Sequence, residues 1–307
     1  MKFNINKKQK SMENLKELIS EAENNKVAVG HFNIAGLEQL KAIFEAAQEL
    51  SQAQNRKIPI IIGTSEGEGD FVGFRQAAAL VKSFKEEFDY PIFINGDHIR
   101  SLEKAEQVVE AGYDAVIFDA SESSFEENLK KTKAAVKFIK SINPKILVEG
   151  EIGFIGKSSK ILKEIPEGAA MKPEDFTKPE EAKRFVKETG VDLLSAAVGN
   201  LHGMFKDAPN PKLDIERIGN IREVAGVPLV LHGGSGITNE DFSAAIDAGI
   251  SIIHINTEIR VAWRKALEQS LKDNPEEIAS YKIMSEVIAE MKKVVLKNLK
   301  IFNKLNG

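Results

Sequence analysis

Pro228-Leu229-Val230-Leu231-His232-Gly233-Gly234-Ser235-Gly236 reads as a short strand, a histidine at its end, a glycine-rich turn and the start of a helix. Uninterrupted apolar residues suit a strand buried on both faces, as in a parallel sheet covered by helices. The glycines free backbone N–H groups to turn toward an anion. A metal-capable imidazole therefore adjoins a phosphate-capable loop.

The same unit recurs on either side. Apolar strands are expected at 27–32, 58–62, 91–95, 115–118, 145–148, 192–198, 228–232 and 251–255. Their ends carry Gly63-Thr64-Ser65, Gly96-Asp97-His98, Asp119, Glu149-Gly150-Glu151 and Gly199-Asn200-Leu201-His202-Gly203, then His232 and Asn256-Thr257-Glu258. Helical periodicity falls between them, at 36–53, 72–88, 101–111, 123–142, 179–189, 213–225, 239–248 and 257–270. This alternation predicts an α/β fold, a (β/α)8 TIM barrel, whose usual size is about 250 residues. A helix over 11–24 precedes the barrel. Two further helical stretches over 277–305 follow, so 1–307 is read as one barrel domain with 273–307 as a C-terminal helical extension. A doubly wound sheet is the alternative, but no G-x-G-x-x-G turn follows the first strand. Residues 152–177 form the longest irregular segment, and a loop of that length usually has a function.

Composition narrows the chemistry. The chain has no cysteine, so any metal must be held by His, Asp or Glu. Its net charge of -4, with both signs mixed along 307 residues, argues against a nucleic-acid partner. There is no apolar run long enough for a membrane span and no apolar segment in Met1–Lys10 that would make a secretory signal. A cytoplasmic protein is expected.

A barrel's site lies at the C-terminal ends of its strands. All five histidines, His31, His98, His202, His232 and His254, fall at or just past such ends. Three imidazoles and an open position make a catalytic zinc site. His98, His202 and His232 are the best three, because glycine or an acid adjoins each. His31 and His254 lie within apolar patterns and face either the site or the helix layer. Asp97 can serve as acid or base; its alternative role, capping the next helix, is equally available to Ser101. Glu149 and Glu151 share a strand face and suit support of, or exchange with, a histidine ligand. Gly233 to Gly236 and Asn256-Thr257 suit a phosphate, with charge from Lys206 and Arg260. No strand end carries an internal lysine, which favours metal over Schiff-base chemistry.

These motifs, in this order, resemble the class II, metal-dependent fructose- or tagatose-bisphosphate aldolases over about residues 12–272. The resemblance is carried by Asp97-His98, Val148-Glu149-Gly150-Glu151-Ile152-Gly153, Gly199-Asn200-Leu201-His202-Gly203, Leu231-His232-Gly233-Gly234-Ser235-Gly236 and Thr257-Glu258-Ile259-Arg260. It implies Zn2+ on His98, His202 and His232, with Glu151 as a nearby or alternate ligand. It implies Asp97 as the acid for the C4 oxygen. Phosphate contacts are implied from Gly203, Lys206, Gly233, Ser235, Asn256 and Thr257, often with a Na+ or K+ ion. The expected substrate set adds Asn33 and Ser65 near the ends of the first two strands, and Arg260. Such an enzyme cleaves a ketose 1,6-bisphosphate, foremost fructose 1,6-bisphosphate, to dihydroxyacetone phosphate and glyceraldehyde 3-phosphate through a metal-stabilised enediolate. The family tends to be oligomeric, so a homodimer or homotetramer is expected.

The chain departs from the family at three places. Asn95-Gly96-Asp97-His98-Ile99 stands for His-x-Asp-His-Gly. His254 stands for an asparagine. Gly156-Lys157-Ser158-Ser159-Lys160 stands where the mobile loop carries Gly-Gly-x-Glu-Asp. Glu164 or Glu167 is the expected replacement for that loop glutamate. These departures keep two other readings open: a related metal lyase or isomerase for another phosphorylated sugar, and a non-catalytic phosphosugar-binding protein.

Overall fold

The computed structural model describes residues 14–156, 159–165, 169, 172–206 and 210–305. Its strands, in chain order, are β1 (Val29–Asn33), β2 (Ile60–Ser65), β3 (Ile92–Ile99), β4 (Ala115–Phe118), β5 (Leu147–Ile152), β6 (Ile161–Leu162), β7 (Leu193–Ala196), β8 (Met204–Phe205), β9 (Leu229–Leu231) and β10 (Ile250–Ile255). Eight of them close a parallel barrel in the order β1-β10-β9-β7-β5-β4-β3-β2. The short β6 and β8 form a separate pair, Ile161 with Met204 and Leu162 with Phe205. That pair ties the long irregular segment to the loop carrying His202, a link that no periodicity announces.

The barrel interior is built in tiers, because strand side chains alternate between faces. Val29, Ile61, Phe93, Ala115, Leu147, Leu193, Val230 and Ile252 form one buried cluster. Each barrel strand contributes one of them. Helix α1 (Leu15–Asn24) seals this floor with Leu15, Leu18, Ile19 and Ala22. Two residues further along most strands the same face turns polar, giving His31, Asn95, Glu149, Ser195, His232 and His254. The next step gives Asn33, Ser65, Asp97, Asp119, Glu151 and Asn256. Apolar residues below and titratable residues above thus put the chemistry at one mouth.

Outward positions such as Phe32, Ile62, Ile94, Val116, Val148, Leu194, Leu231 and Ile253 join the main core beneath the helices. These helices are α2 (Leu37–Gln54), α3 (Glu66–Val72), α4 (Phe74–Phe88), α5 (Leu102–Glu110), α6 (Phe125–Ile142), α7 (Pro179–Thr189), α8 (Ile215–Ala225), α9 (Asn239–Ala248), α10 (Thr257–Asp273) and α11 (Ser280–Phe302). One helix was expected over 72–88. It is found as α4, and a short helix that was not expected, α3, precedes it and ends where Gly73 takes φ +90°. The two helical stretches expected over 277–305 are the single helix α11. Its buried stripe, Val287, Met291, Val295, Leu299 and Phe302, packs on α2 and α10. Its last turn accepts a hydrogen bond from Ala28 N to Phe302 O at 2.9 Å.

Phe302 is fully buried and contacts the Phe242 ring, 5.2 Å between centroids. Phe302→Ala is expected to cost about 3–5 kcal/mol in urea unfolding. A loss under 1 kcal/mol would show that α11 is not part of the folded core.

Strand β3 runs further than expected, through Asp97 and His98 to Ile99. Simple alternation would send only one of two adjacent side chains into the mouth. His98 escapes it with φ +53°, where the β3–β4 register shifts between Gly96 and Ile99. A non-glycine residue in that region costs on the order of 1–3 kcal/mol, and here the twist lets both Asp97 and His98 serve one site.

Candidate active site

His98, Glu151, His202 and His232 each place one ligand atom within 4.8 Å of the others. The His98 Nδ1–H donates to Asp119 Oδ2 at 2.9 Å, leaving the Nε2 lone pair free. His232 Nε2–H donates to Glu149 Oε1 at 2.8 Å, leaving Nδ1 free. The two free nitrogens then face each other at 3.0 Å. Opposed lone pairs repel unless a proton or cation lies between them. His202 Nε2 and Glu151 Oε2 are both buried with no hydrogen-bond partner, and unpaired buried polar atoms are costly. Three imidazoles and a carboxylate without thiolates suit a hard to borderline divalent ion such as zinc. The donor set therefore fits a metal, and Asp119 and Glu149 act on it as orienting carboxylates.

The field around the site calls for positive charge. Burial disfavours the His98 imidazolium, yet Asp97, Asp119 and Glu151 outweigh it and push the pKa up to about 10. His232 also rises against burial, chiefly through Glu149. Burial, aided by His98 and His232, takes His202 well below the usual imidazole range. It stays neutral, the form in which an imidazole can bind a metal. Burial and the nearby Asp119 raise Glu151 to about 7. Asp97 is held well below the usual carboxylate range: burial opposes ionisation, and His98, His254 and His31 overcome it. Asp97 is thus an ionised carboxylate able to take up a proton.

The cluster floors a cavity of about 230 Å³. Asn33, Ser65, Asp97, His98, His202, Gly203, Gly233, Ser235, Asn256, Thr257 and Arg260 all line it, so most of the expected set converges. Glu151 and His232 lie buried beneath it. Lys206, just past β8, is exposed and outside this lining. Glu164 is also exposed, while Glu167 lies outside the described residues.

The two glycine turns in the cavity wall lie backbone against backbone. Gly233 takes φ +63°, and a Cβ there would stand 2.3 Å from the Leu201 carbonyl oxygen. Only glycine lets the loops after β7 and β9 meet so closely. Asn210 Nδ2 donates to the Gly203 and Ser235 carbonyls, each at 2.9 Å, locking the two turns together. Asn256 makes no side-chain cap on α10, so the positive end of a long helix opens beside Thr257.

The sequence reading missed Glu68. It accepts from Asn33 Nδ2 at 2.8 Å and from Arg260 Nη2 at 2.5 Å, and it boxes the α3 cap with Ser65. Asn33 in turn donates to Asp97 Oδ2 at 2.8 Å. The Ser65-Glu66-Gly67-Glu68 spacing is a capping-box signature and carried the available signal. His31 and His254 both point inward, not into the helix layer.

The family model described as fructose-bisphosphate aldolase class-II matches residues 13–307. The fructose-bisphosphate aldolase of Geobacillus stearothermophilus is 35% identical over 295 residues, 95% of this chain and 97% of the relative. The 6-phospho-5-dehydro-2-deoxy-D-gluconate aldolase of Bacillus licheniformis is 34% identical over 291 residues, 94% of each chain. The crystal structure of the YdjI aldolase from Escherichia coli K12 superposes with a TM-score of 0.77 at 30% identity, covering 94% of this chain and 96% of that one. A closed barrel, a histidine cluster at its mouth and a family match over nearly the whole chain place this protein in the class II fructose-bisphosphate aldolase family.

Proposed function

We propose that the protein is a zinc-dependent aldolase that reversibly cleaves a ketose 1,6-bisphosphate, with fructose 1,6-bisphosphate the first candidate. The observation that carries the reading is the close approach of two buried imidazole nitrogens, His98 Nε2 and His232 Nδ1 at 3.0 Å, with His202 and Glu151 beside them in one cavity with two glycine turns. His98, His202 and His232 would hold the ion, with Glu151 as the alternate ligand. A divalent ion there supplies Lewis-acid stabilisation of the charge that develops on the ketose oxygens during cleavage.

The chain's own groups do the rest. Gly203, Gly233, Ser235, Asn256 and Thr257 hold the C1 phosphate, which stays with the fragment that becomes dihydroxyacetone phosphate. Asp97, ionised and gripped by Asn33, takes the proton of the C4 hydroxyl as the C3–C4 bond breaks. The bonding electron pair stays with the three-carbon phosphate fragment, and C4 leaves as an aldehyde. In condensation the same carboxyl returns the proton. A second reading, binding of a phosphosugar without cleavage, is favoured only by the loop sequence Gly156-Lys157-Ser158-Ser159-Lys160, which lacks the family glutamate.

Cleavage assays on the purified protein test this. Chelation is expected to abolish cleavage and zinc to restore it, while borohydride with substrate traps no adduct. Cleavage that survives complete metal removal would overturn the reading. A panel of fructose 1,6-, tagatose 1,6- and sedoheptulose 1,7-bisphosphates ranks the substrates. Tight dihydroxyacetone phosphate binding with neither turnover nor C–H exchange would leave only the binding-protein reading.

A further inference from the structure

His31 and His254 stand opposite each other in the β1–β10 register, and their rings stack 3.5 Å apart at 7°. His254 stacks on its own account against His232, at 4.0 Å and 29°. The arrangement is built, not incidental. A Cβ at Gly63 on neighbouring β2 would come within 2.2 Å of the His31 ring, so glycine there keeps its place open. Asn95 Nδ2 holds the His31 edge, 3.0 Å from Nε2. Asn95 and His254 are two of the departures from the family pattern, and they meet at His31.

Together with Asp97, these histidines form a buried group of potential ligands within 4.8 Å. Imidazole lone pairs lie in the ring plane, however, and two planes stacked in parallel do not converge on one ion. The stack therefore fixes a ring and does not bind a second metal. The ring it fixes is His254, which lines the cavity beside Asp97. His254 Nδ1 lies 3.5 Å from Asp97 Oδ1, beyond the usual span of about 2.7–3.2 Å. Buried Asp97 Oδ1 has no hydrogen-bond partner among the described residues, whereas Oδ2 is occupied by Asn33. A hydroxyl can donate to the carboxylate and accept from the ring N–H at once.

We propose that His254, held by this stack, is a specificity-determining residue: its N–H and the Asp97 carboxylate together grip the C4 hydroxyl and so read the configuration of that carbon. The assignment rests on the aldolase reading above. Two partners on one hydroxyl fix its direction, and a site built to pair a hydroxyl discriminates against the analogue that misplaces it.

Calorimetry on the zinc-loaded protein tests it with dihydroxyacetone phosphate, which lacks this hydroxyl, and with hexitol 1,6-bisphosphates of both C4 configurations, which carry it and have no carbonyl to cleave. His254→Phe keeps a flat ring in the stack and removes the nitrogens. It is expected to weaken the preferred hexitol bisphosphate about tenfold or more and to erase most of the preference between epimers. Dihydroxyacetone phosphate affinity and zinc content stay within twofold. His254→Asn, which restores a donor, is expected to recover part of the loss. Unchanged affinities, or equal weakening of both ligand types, would overturn the assignment, as would a wild-type protein that binds dihydroxyacetone phosphate but does not distinguish the epimers. A wild-type protein that fails to bind even dihydroxyacetone phosphate overturns the aldolase reading itself, and this assignment with it.

Discussion

His202→Ala is expected to leave a folded protein that no longer retains zinc and whose cleavage rate is lower by about 10³-fold or more. On the proposed mechanism the ion would contribute several kcal/mol of charge stabilisation to cleavage, and each factor of ten is about 1.4 kcal/mol. His202 is the cleanest ligand to remove. Its Nε2 has no partner among the described residues, so the substitution leaves none of their polar groups unpaired at that atom. His232→Ala, by contrast, would strand the buried Glu149 carboxylate that now accepts from it at 2.8 Å, at a folding cost of about 1–3 kcal/mol or more. Elemental analysis after dialysis, thermal unfolding and coupled cleavage kinetics together measure the outcome. Full zinc retention by the His202 variant would remove this residue from the ligand set.

Asp97→Asn should keep the metal and lose the reaction. The amide oxygen can still accept from Asn33, as Oδ2 does at 2.8 Å, so the side chain is expected to stay in place. What it cannot do is take or return a proton. General acid–base groups typically contribute about 10²–10⁴-fold, and a fall of that size is expected in kcat with zinc content unchanged. Dihydroxyacetone phosphate, which lacks the C4 hydroxyl, is expected to bind as in wild type. A variant within tenfold of wild-type kcat would move the proton transfer to another group. The two substitutions thus separate metal loss from proton-transfer loss.

Much of this site was legible before any fold was known, because barrel geometry puts chemistry at strand ends. The apolar runs at 228–231 and 251–255 locate strands, and the residue just past each becomes a candidate. Glycine turns and adjacent acids then mark His98, His202 and His232. Lys206 shows the limit of such reasoning. It follows His202 by four positions, yet it comes just past the β6–β8 pair, exposed and outside the cavity lining. Glu68 shows the converse. It sits one turn into a helix that the periodicity did not reveal, and it becomes a site residue only because β1 and α10 bring Asn33 and Arg260 to it.

The sequence alone determined the alternation of strand and helix, the apolar floor and polar rim of the barrel, and the identity of the metal-capable side chains. These follow from periodicity and residue chemistry, which are local properties. Only the tertiary structure decided how those side chains meet. The left-handed turn at His98 admits two neighbours of one strand to the same cavity. The β1–β10 register lays His31 against His254. Asp119 and Glu149, from separate strands, aim two imidazole lone pairs at one point. Each depends on contacts between segments distant along the chain, and such contacts exist only once the barrel has closed.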